Sequence, residues 1–326
     1  MSILVTGAAG FIGMHVARAL LARGETVIGI DNLNDYYDPA LKDARLATLA
    51  SEPRFSFHRM DVEDRDAVRA LFLDNPMLDQ VVHLAAQAGV RHSLEDPYAY
   101  IRSNVLGQLV ILEACRAQAG LRHLVYASSS SVYGGNESQP FSIDDRVDEP
   151  VSLYAATKRA DELMASCYAH LFDIPATGLR FFTVYGPWGR PDMSPWLFTD
   201  AIFNDRPIKV FNQGRMRRDF TYIDDIVDGT IRALDRPPIR ANGRRAHRLF
   251  NLGNNESEEL MHFIGLIEKA CGKTTKKIML GMQPGDVEAT YADITASTEL
   301  LGYRPTTRLD AGIVKFVDWF RAYKGH

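Results

Sequence analysis

The chain has few cysteines, little excess charge and no long apolar run. Its 326 residues include three cysteines, Cys115, Cys167 and Cys271, which lie far apart and match no zinc-binding or redox spacing. We therefore expect isolated thiols in a reducing compartment and no metal site. The 41 acidic and 37 basic side chains give a formal net charge of −4, so the charge balance indicates neither nucleic acid nor an anionic membrane as a partner.

No apolar run approaches the roughly 20 residues that a membrane-spanning helix needs. The first β-rich run begins at Ser2 or Ile3 without a preceding basic flank or apolar segment, so we expect no signal peptide. These absences predict a soluble, cytoplasmic protein with no membrane partner. The length predicts one large domain or a core domain with a smaller second lobe.

The first half of the chain alternates short β-rich runs with longer helical segments. Most of the runs are apolar without a period of two, as strands buried on both faces of a parallel sheet are. This order predicts a doubly wound parallel α/β sheet. The predicted strands are 2–6, 26–30, 55–59, 80–84, 123–128 and 176–180, and the predicted helices are 11–23, 65–73, 97–119 and 153–172.

After Arg180 the sequence becomes rich in Pro, Gly, Trp and Arg, which is typical of loops that face a ligand. A helix is predicted at 224–234 and a strand at 248–252. We therefore expect the chain to return to the first domain before it ends in a small helical lobe.

Three glycines, Gly7, Gly10 and Gly13, follow the first predicted strand at the spacing of a dinucleotide-binding turn. Gly7 permits the tight turn, Gly10 lets the backbone approach a pyrophosphate, and Gly13 allows the helix to pack closely on the strand. The helix N-terminus then faces the anion. Three glycines at this spacing also occur in simple turns, but the strand before them and the helix after them favour a nucleotide.

Asp31 ends the second predicted strand, where a carboxylate accepts hydrogen bonds from the adenosine ribose and repels a 2′-phosphate. Asn32 and Leu33 follow it, and no arginine does, so NAD is favoured over NADP. The alternative interpretation of Asp31 is a turn residue after a strand. Asp61, after the third strand, is a weaker candidate for the adenine end of the same site.

Tyr154 and Lys158 stand four residues apart on a predicted helix and so share one face. The ammonium can lower the pKa of the phenol from about 10, and the phenolate is then a general base for a substrate hydroxyl that loses its hydride to the cofactor. Such pairs are also frequent on ordinary amphipathic helices. The run from Ser128 to Ser131, at the ligand-binding edge of the sheet, adds a hydroxyl that can bridge substrate and phenol, unless it is only a serine-rich loop.

Taken in order, these motifs resemble the extended short-chain dehydrogenases/reductases of the nucleotide-sugar epimerase and dehydratase group. The resemblance runs nearly end to end. It implies a Rossmann-type sheet at 1–180 and 219–255 that binds NAD, and a smaller α/β substrate lobe at 181–218 and 256–326. It rests on Gly7-x-x-Gly10-x-x-Gly13, Asp31, Asp61, His83-Leu84-Ala85-Ala86, Asn104, Ser128-Ser129-Ser130, Val132-Tyr133-Gly134, Tyr154-x-x-x-Lys158, Arg218-Asp219 and Pro284-Gly285-Asp286.

The resemblance also implies site roles residue by residue. Tyr154 would be the acid/base, Lys158 its tuner and Ser129 the relay. The residues implied to bind NAD are Gly7, Gly10, Phe11, Ile12, Gly13, Asp31, Asn32, Asp61, Val62, Leu84, Ala85, Ala86, Asn104 and Lys158. Those implied to bind a UDP-sugar are Arg91, Ser129, Ser130, Thr183, Arg190, Val210, Arg218 and Asp286.

The side chains after Ser129 distinguish the reactions of this group. Dehydratases usually carry an Asp-Glu pair there, and glucuronate decarboxylases usually a Glu at the second place, whereas this chain has Ser130 and Ser131. Lacking a carboxylate to deprotonate C5, the site is expected to epimerise C4 through a transient 4-keto sugar.

Thr183, Arg190 and the segments 31–37 and 87–91 make the pattern similar to UDP-glucuronate 4-epimerases. Arg190 and Arg91 would then grip the sugar carboxylate, although either arginine can instead pair with phosphate or a surface carboxylate. UDP-glucose 4-epimerase, another NDP-sugar epimerase and a non-catalytic NAD-binding regulator are the alternatives. Members that are regulators typically lose the Tyr or the Lys, which this chain keeps.

The resemblance further implies a homodimer in which the helices at 97–119 and 153–172 of two chains form a four-helix bundle. Apolar positions such as Leu106, Val110 and Leu163 would face the partner, or else pack inward.

Overall fold

A computed structural model describes residues 2–240, 245–283 and 285–326. Its thirteen described strands are β1 (Ser2–Thr6), β2 (Val27–Asp31), β3 (Phe55–Arg59), β4 (Leu78–His83), β5 (His123–Ser129), β6 (Ala176–Phe181), β7 (Thr183–Tyr185), β8 (Ile208–Val210), β9 (Arg217–Arg218), β10 (Phe220–Tyr222), β11 (His247–Leu252), β12 (Glu258–Glu259) and β13 (Lys277–Met279). Seven of these strands form the central sheet.

The described α-helices are α1 (Phe11–Ala22), α2 (Pro39–Ala47), α3 (Arg65–Asp74), α4 (Pro97–Tyr100), α5 (Gly107–Ala117), α6 (Leu153–Leu171), α7 (Ser194–Phe203), α8 (Ile223–Leu234), α9 (Leu260–Cys271), α10 (Thr295–Leu301) and α11 (Leu309–Lys324). A π-helical segment, Ile101–Leu106, joins α4 to α5. Short 3₁₀ segments occur at His92–Leu94, Ser130–Tyr133 and Phe211–Gly214. No helix in these described ranges is long and apolar enough to cross a bilayer.

The central sheet is parallel throughout and has the strand order β11-β6-β5-β4-β1-β2-β3. Strands β1, β2, β4 and β6 are buried along their whole length, which explains why their sequences show no alternation of polar and apolar residues. The doubly wound sheet predicted from the sequence is confirmed, with strand ends within two residues of the predicted positions. Strand order reverses between β1 and β4, and ligands bind at the carboxyl edge at such a point.

The chain returns to this sheet after a long excursion. Strand β11 pairs with β6 from the His247–Ala176 pair to the Leu252–Phe181 pair, and α8 packs against α1. The predicted helix at 224–234 and strand at 248–252 are therefore both present, each beginning one residue earlier.

Two helical features differ from the sequence prediction. The predicted helix at 97–119 is broken by the π-helical segment, in which the amide of Asn104 is drawn into hydrogen bonds with Gln87 and Thr157. Helix α2 was not predicted, although Asp38 caps it by accepting a hydrogen bond from the Ala40 N–H, and Pro39 stands at its first position.

Outside the central sheet, small strand pairs and three helices surround an aromatic part of the core. Strand β8 pairs with β13, and β9 pairs with β12. Helices α7, α9 and α11 contact one another, and Phe263, Phe316 and Phe320 are fully buried. Strand β7, which follows β6 directly at the carboxyl edge of the sheet, pairs with β10.

Candidate active site

The glycine turn after β1 leaves no room for side chains. Gly7 has a φ of 69°, which favours glycine. A Cβ on Gly7 would lie 2.9 Å from the Ala85 nitrogen, and one on Gly13 would lie 2.0 Å from the Gly7 carbonyl oxygen. Gly10 is the N-cap of α1 and provides no side chain over the first helical turn. The positive end of α1 is thus open to an anion.

A cavity of about 400 Å³ extends from this turn to Tyr154. The structure brings every predicted NAD-binding residue except Asn104 to its wall. The predicted residues in the wall are Gly7, Gly10, Phe11, Ile12, Gly13, Asp31, Asn32, Asp61, Val62, Leu84, Ala85, Ala86, Ser129, Ser130, Tyr154, Lys158, Thr183 and Arg190.

Asp31 sits at the end of β2 with both carboxylate oxygens already held by the backbone. Its Oδ2 accepts from the Ala9 N–H at 3.1 Å, and its Oδ1 accepts from the Leu33 N–H at 2.9 Å. Each oxygen keeps a second lone pair for a ligand hydroxyl. Nearby, the Asn32 amide donates to Asp61 Oδ2 at 2.9 Å.

Lys42 is a cavity-wall residue that the sequence analysis missed. Its Nζ donates to the carbonyl oxygen and to Oδ1 of Asn34, at 2.8 and 2.6 Å. Burial lowers the pKa of Lys42, while the charge of Asp31 raises it. The residue lies on α2, so the Asp38-Pro39 start signal of that helix was the clue available in the sequence.

Tyr154 and Lys158 lie on α6, whose first turn is capped by the Ser152 hydroxyl accepting from the Ala155 N–H at 3.1 Å. Both side chains reach the same cavity. Lys158 Nζ donates to Asp161 Oδ2 at 2.6 Å in a pair that is almost fully buried. The sequence analysis did not single out Asp161.

All four serines of the run line the cavity, and Ser128 is also bonded to the core. Ser129 Oγ donates to Ser131 Oγ at 3.1 Å. Ser128 Oγ instead donates to Glu162 Oε1 at 2.7 Å. Glu162 also accepts two hydrogen bonds from Arg180, at 2.8 and 2.9 Å, so this residue of the run fixes β5 to α6 and β6.

Asn104 stands behind the cavity wall rather than in it. Its Nδ2 donates to Thr157 Oγ1 at 2.9 Å and to the Gln87 carbonyl at 3.1 Å, and its Oδ1 accepts from the Gln87 N–H at 2.8 Å. Thr157 lies between Tyr154 and Lys158 on α6. Asn104 therefore ties the loop after β4 to the helix that carries the tyrosine and the lysine.

Arg190 reaches the cavity, but its guanidinium already has a partner. Its Nε and Nη2 donate to Asp192 Oδ1 and Oδ2 at 3.0 and 2.6 Å, and the Tyr36 hydroxyl donates to Asp192 Oδ2 at 3.0 Å. Burial lowers the pKa of Arg190, but the charge and hydrogen bonds of Asp192, with the nearby Tyr36 and Tyr154, outweigh burial and leave the pKa above its ordinary value. Asp192 is thus a carboxylate partner for Arg190 within the same chain.

A second cavity, of about 140 Å³, adjoins the first and shares Ser130, Ser131 and Thr183 with it. Arg218 and Asp286 line its far side, and Arg91 donates to Asp286 Oδ2 at 2.9 Å. Arg218 donates to the Arg217 and Glu288 carbonyls and forms no ion pair with any residue that the structure describes. Its charge is available to an anionic ligand.

Three predicted site residues, Arg91, Asn104 and Val210, line neither cavity. Val210 is fully buried in β8, where its carbonyl accepts from the Leu280 N–H, because the strand pairs with β13 and turns this side chain into the core. Pro284 lies outside the described residues. No group of three His, Cys, Asp or Glu side chains in the described ranges is arranged to hold a metal ion.

Comparison with known proteins gives this site its context. A model of the NAD dependent epimerase/dehydratase family matches residues 3–253. The chain belongs to this family. The resemblance to nucleotide-sugar epimerases inferred from the sequence is confirmed.

Three similar proteins of this epimerase/dehydratase family are informative. A probable UDP-glucuronate 4-epimerase of Rhizobium meliloti is 46% identical over 333 residues, which cover 98% of this chain and 97% of that protein. UDP-glucuronate 4-epimerase 1 of Arabidopsis thaliana is 45% identical, with 100% of this chain and 78% of that protein covered. The crystal structure of UDP-glucuronic acid 4-epimerase from Bacillus cereus, in complex with UDP-glucuronic acid and NAD, is 37% identical with a TM-score of 0.91 and covers 99% of this chain and 100% of that one.

The residues present fit the NAD that the epimerase/dehydratase family uses. The turn at Gly7 and Gly13 admits only backbone, so a pyrophosphate can approach the open amides at the start of α1. Asp31 presents a carboxylate at the ribose end, as NAD binding requires.

Proposed function

We propose that the protein is an NAD-dependent UDP-glucuronate 4-epimerase that interconverts UDP-glucuronate and UDP-galacturonate through a transient 4-keto sugar. The observation that carries this proposal is the hydroxyl lining beside Tyr154, made by Ser129, Ser130 and Thr183. The carboxylates in the described lining, Asp31 and Asp61 in one cavity and Asp286 in the other, belong to the proposed nucleotide-binding regions. No described lining residue beside Tyr154 offers the acid-base pair that elimination of water needs.

In this proposal Tyr154 accepts the proton of the sugar hydroxyl at C4 and later returns it. Ser129 bridges that hydroxyl and the phenol, and the Lys158 ammonium favours the ionised phenol. Bound NAD supplies a hydride acceptor for C4, and return of the hydride to the opposite face gives the epimer. The proposed NAD-binding domain is 1–180 and 219–255, and the proposed sugar-nucleotide lobe is 181–218 and 256–326.

Arg218 is the proposed contact for the diphosphate. Its guanidinium lines the second cavity without an ion-pair partner among the described residues, while the carboxylate of Asp286 is paired with Arg91. Asp286 and Arg91 are therefore proposed to shape the nucleotide end rather than to meet the sugar carboxylate. Val210 is not part of the proposed contact surface, because it is buried in β8.

A uronate adds a chemical constraint, because its 4-keto form is a β-keto acid that loses CO₂ when the carboxylate bond stands perpendicular to the carbonyl plane. We propose that hydrogen bonds from Thr183, the serine hydroxyls and Arg190, which line the same cavity, hold the carboxylate near the ring plane. Arg190→Ala tests the part played by the arginine. Unchanged epimerisation without a decarboxylated pentose product would exclude Arg190 as the guard.

Incubation of the purified protein with UDP-glucuronate and UDP-glucose, separately, tests the substrate. Chromatography is expected to resolve a C4 epimer formed from UDP-glucuronate, and no product with Tyr154→Phe. Faster conversion of UDP-glucose, or equal conversion by the Tyr154→Phe control, would contradict the proposal.

The proposed quaternary state is a homodimer built on α5, α6 and the π-helical segment. Ile101, Leu106 and Leu163 are 46%, 43% and 56% exposed, whereas Val110 is buried at 7%. Of the predicted interface positions, Leu106 and Leu163 are thus exposed and Val110 packs inward. The exposed positions form an apolar surface that a second copy would cover. An unpaired, exposed thiol at Cys167 supports a reducing, cytoplasmic location.

A further inference from the structure

Asp161 is a buried carboxylate for which the proposed reaction has no direct use. It follows Tyr154 by seven residues and Lys158 by three on α6, so the three side chains occupy neighbouring turns of one face. The side chain of Asp161 is 1% exposed and that of Lys158 is 5% exposed. A carboxylate in such a position needs a partner to offset its desolvation.

Lys158 is that partner, and it meets only one of the two carboxylate oxygens. Asp161 Oδ2 accepts from Lys158 Nζ at 2.6 Å, while Oδ1 is buried without a hydrogen-bond partner in the described part of the chain. The next residue, Glu162, behaves differently, because both of its oxygens are held, by Ser128, Arg159 and Arg180. Asp161 is thus bound through the lysine, and Glu162 through the surrounding fold.

Among the described titratable groups around the Lys158–Asp161 pair, the histidines are neutral at neutral pH and the arginines are paired with Glu162, so Asp161 is the group that opposes the charge of Lys158. His83 on β4 and His247 on β11 have pKa values lowered by burial to about 3 and about 4, so both are neutral at neutral pH. The hydroxyl of Tyr126 on β5 is buried, and burial raises its pKa. The cations that face Glu162, Arg159 on α6 and Arg180 on β6, are paired with that carboxylate. Tyr154 itself faces Tyr100, whose ring centroid lies 6.0 Å from its own, and Arg190, which is paired with Asp192.

We propose that Asp161 is a positioning residue that holds the Lys158 ammonium and, by opposing its charge, sets how readily the Tyr154 phenol gives up its proton. The inference rests on the proposed role of Tyr154 as the proton acceptor. At a rise of 1.5 Å per residue, Asp161 and Tyr154 are separated by about 10 Å along the axis of α6, and with an effective dielectric constant of about 20 a charge at that separation shifts an ionisation by about one pH unit.

Asp161 also gives this balance a pH dependence. Burial raises the pKa of Asp161 to about 6, although Lys158 lowers it. As the pH falls through that value, the carboxyl gains a proton and the charge of Lys158 acts on Tyr154 unopposed. The phenolate is then favoured in the range where acid alone would deplete it.

Asp161→Asn tests the proposal because it keeps the shape of the side chain and removes its charge. The phenolate absorbance of the NAD-saturated protein is measured against pH for wild type and for each variant. The absorbance of the same protein carrying Tyr154→Phe is then subtracted, which isolates the signal of Tyr154 from that of the other tyrosines among the 13 in the chain. The ionisation midpoint of Tyr154 is expected about one pH unit lower in Asp161→Asn. This readout needs no substrate, so it stays decisive even if the protein does not act on UDP-glucuronate.

Three further variants make the test specific. Asp161→Glu keeps the charge and should restore the wild-type midpoint. Asp228→Asn removes the same charge from an exposed pair with Arg232, whose Nε lies 2.6 Å from Asp228 Oδ2, and should leave the midpoint unchanged. Asp161→Ser replaces Asp161→Asn if the latter does not fold.

A stable neutral variant with an unchanged midpoint would overturn the proposal, as would an equal shift in Asp228→Asn. Loss of thermal stability without a shift would assign Asp161 a structural role only. Failure of both neutral variants to fold would lead to the same conclusion.

Discussion

Replacing Glu162 by Gln is expected to destabilise the protein by about 3 kcal/mol, at the lower end of the range for breaking a buried ion pair. The Glu162 and Arg180 side chains are 0% and 1% exposed and joined by two hydrogen bonds, of 2.8 and 2.9 Å. The variant leaves Arg180 with a buried charge and no carboxylate to pair with. The oxygen of the new amide can still accept a hydrogen bond from Arg180. For 326 residues, an unfolding entropy of about 2.1 cal/mol/K per residue converts this loss into a fall in Tm of about 4 °C.

The same variant should show a defined pH dependence. Burial raises the pKa of Glu162, but hydrogen bonds and the charge of Arg180 outweigh it and leave the pKa below its ordinary value. The stabilisation is therefore complete above the ordinary pKa of a glutamate and is lost as the pH falls through the lower, folded-state value. Thermal unfolding of wild type and Glu162→Gln is expected to differ most near neutral pH and to converge in acid.

Two comparisons determine whether this reasoning is correct. Glu162→Gln combined with Arg180→Met should be less destabilised than the sum of the two single variants, because the second change removes the unpaired charge. Asp235→Asn breaks an exposed pair with Arg23, whose side chains are 38% and 43% exposed, and should cost less than about 1 kcal/mol. Additive single effects, or a Glu162→Gln cost no larger than that of Asp235→Asn, would refute the argument.

Three other substitutions test the site and the assembly. Gly13→Ala forces a Cβ to within 2.0 Å of the Gly7 carbonyl, so the purified variant should retain little NAD when its nucleotide content is measured. Lys42→Met removes a buried ammonium beside Asp31 and should weaken NAD binding about tenfold, a loss of about 1.4 kcal/mol, by calorimetric titration. Leu163→Glu places a charge on the exposed apolar face of α6 and should shift the sedimentation of a dimer toward that of a monomer.

The sequence predicted well what depends on local chemistry. Fully buried strands such as β1 and β2 read as apolar runs, and the glycines from Gly7 to Gly13 reveal a turn in which a side chain has no room. These features are encoded within a few residues. They can therefore be predicted from the sequence without knowledge of which strands pair.

The features that the sequence did not predict depend largely on contacts between distant segments. Asn104 was predicted to bind NAD but is drawn to Gln87 and Thr157, 17 and 53 positions away, and the helix around it takes a π-helical turn that no apolar period signals. Lys42 reaches the cavity from α2, which packs against α1. Arg190 is different, since its partner Asp192 is two residues away and was available in the sequence as a competitor for the sugar carboxylate.

Two adjacent carboxylates on α6, Asp161 and Glu162, have different roles in the proposed reaction. Glu162 holds Ser128, the neighbour of Ser129, and thereby fixes the spacing between the serine run and the helix that carries Tyr154. Asp161 forms no hydrogen bond with the described residues of β5 or β6, and the hydrogen bond that its side chain accepts comes from Lys158. Loss of Glu162 should therefore lower stability and kcat together, whereas loss of the Asp161 charge should move the pH dependence of kcat with little change in its maximum. In the proposed reaction, Glu162 thus fixes the position of the serine run, and Asp161 adjusts the proton affinity of Tyr154.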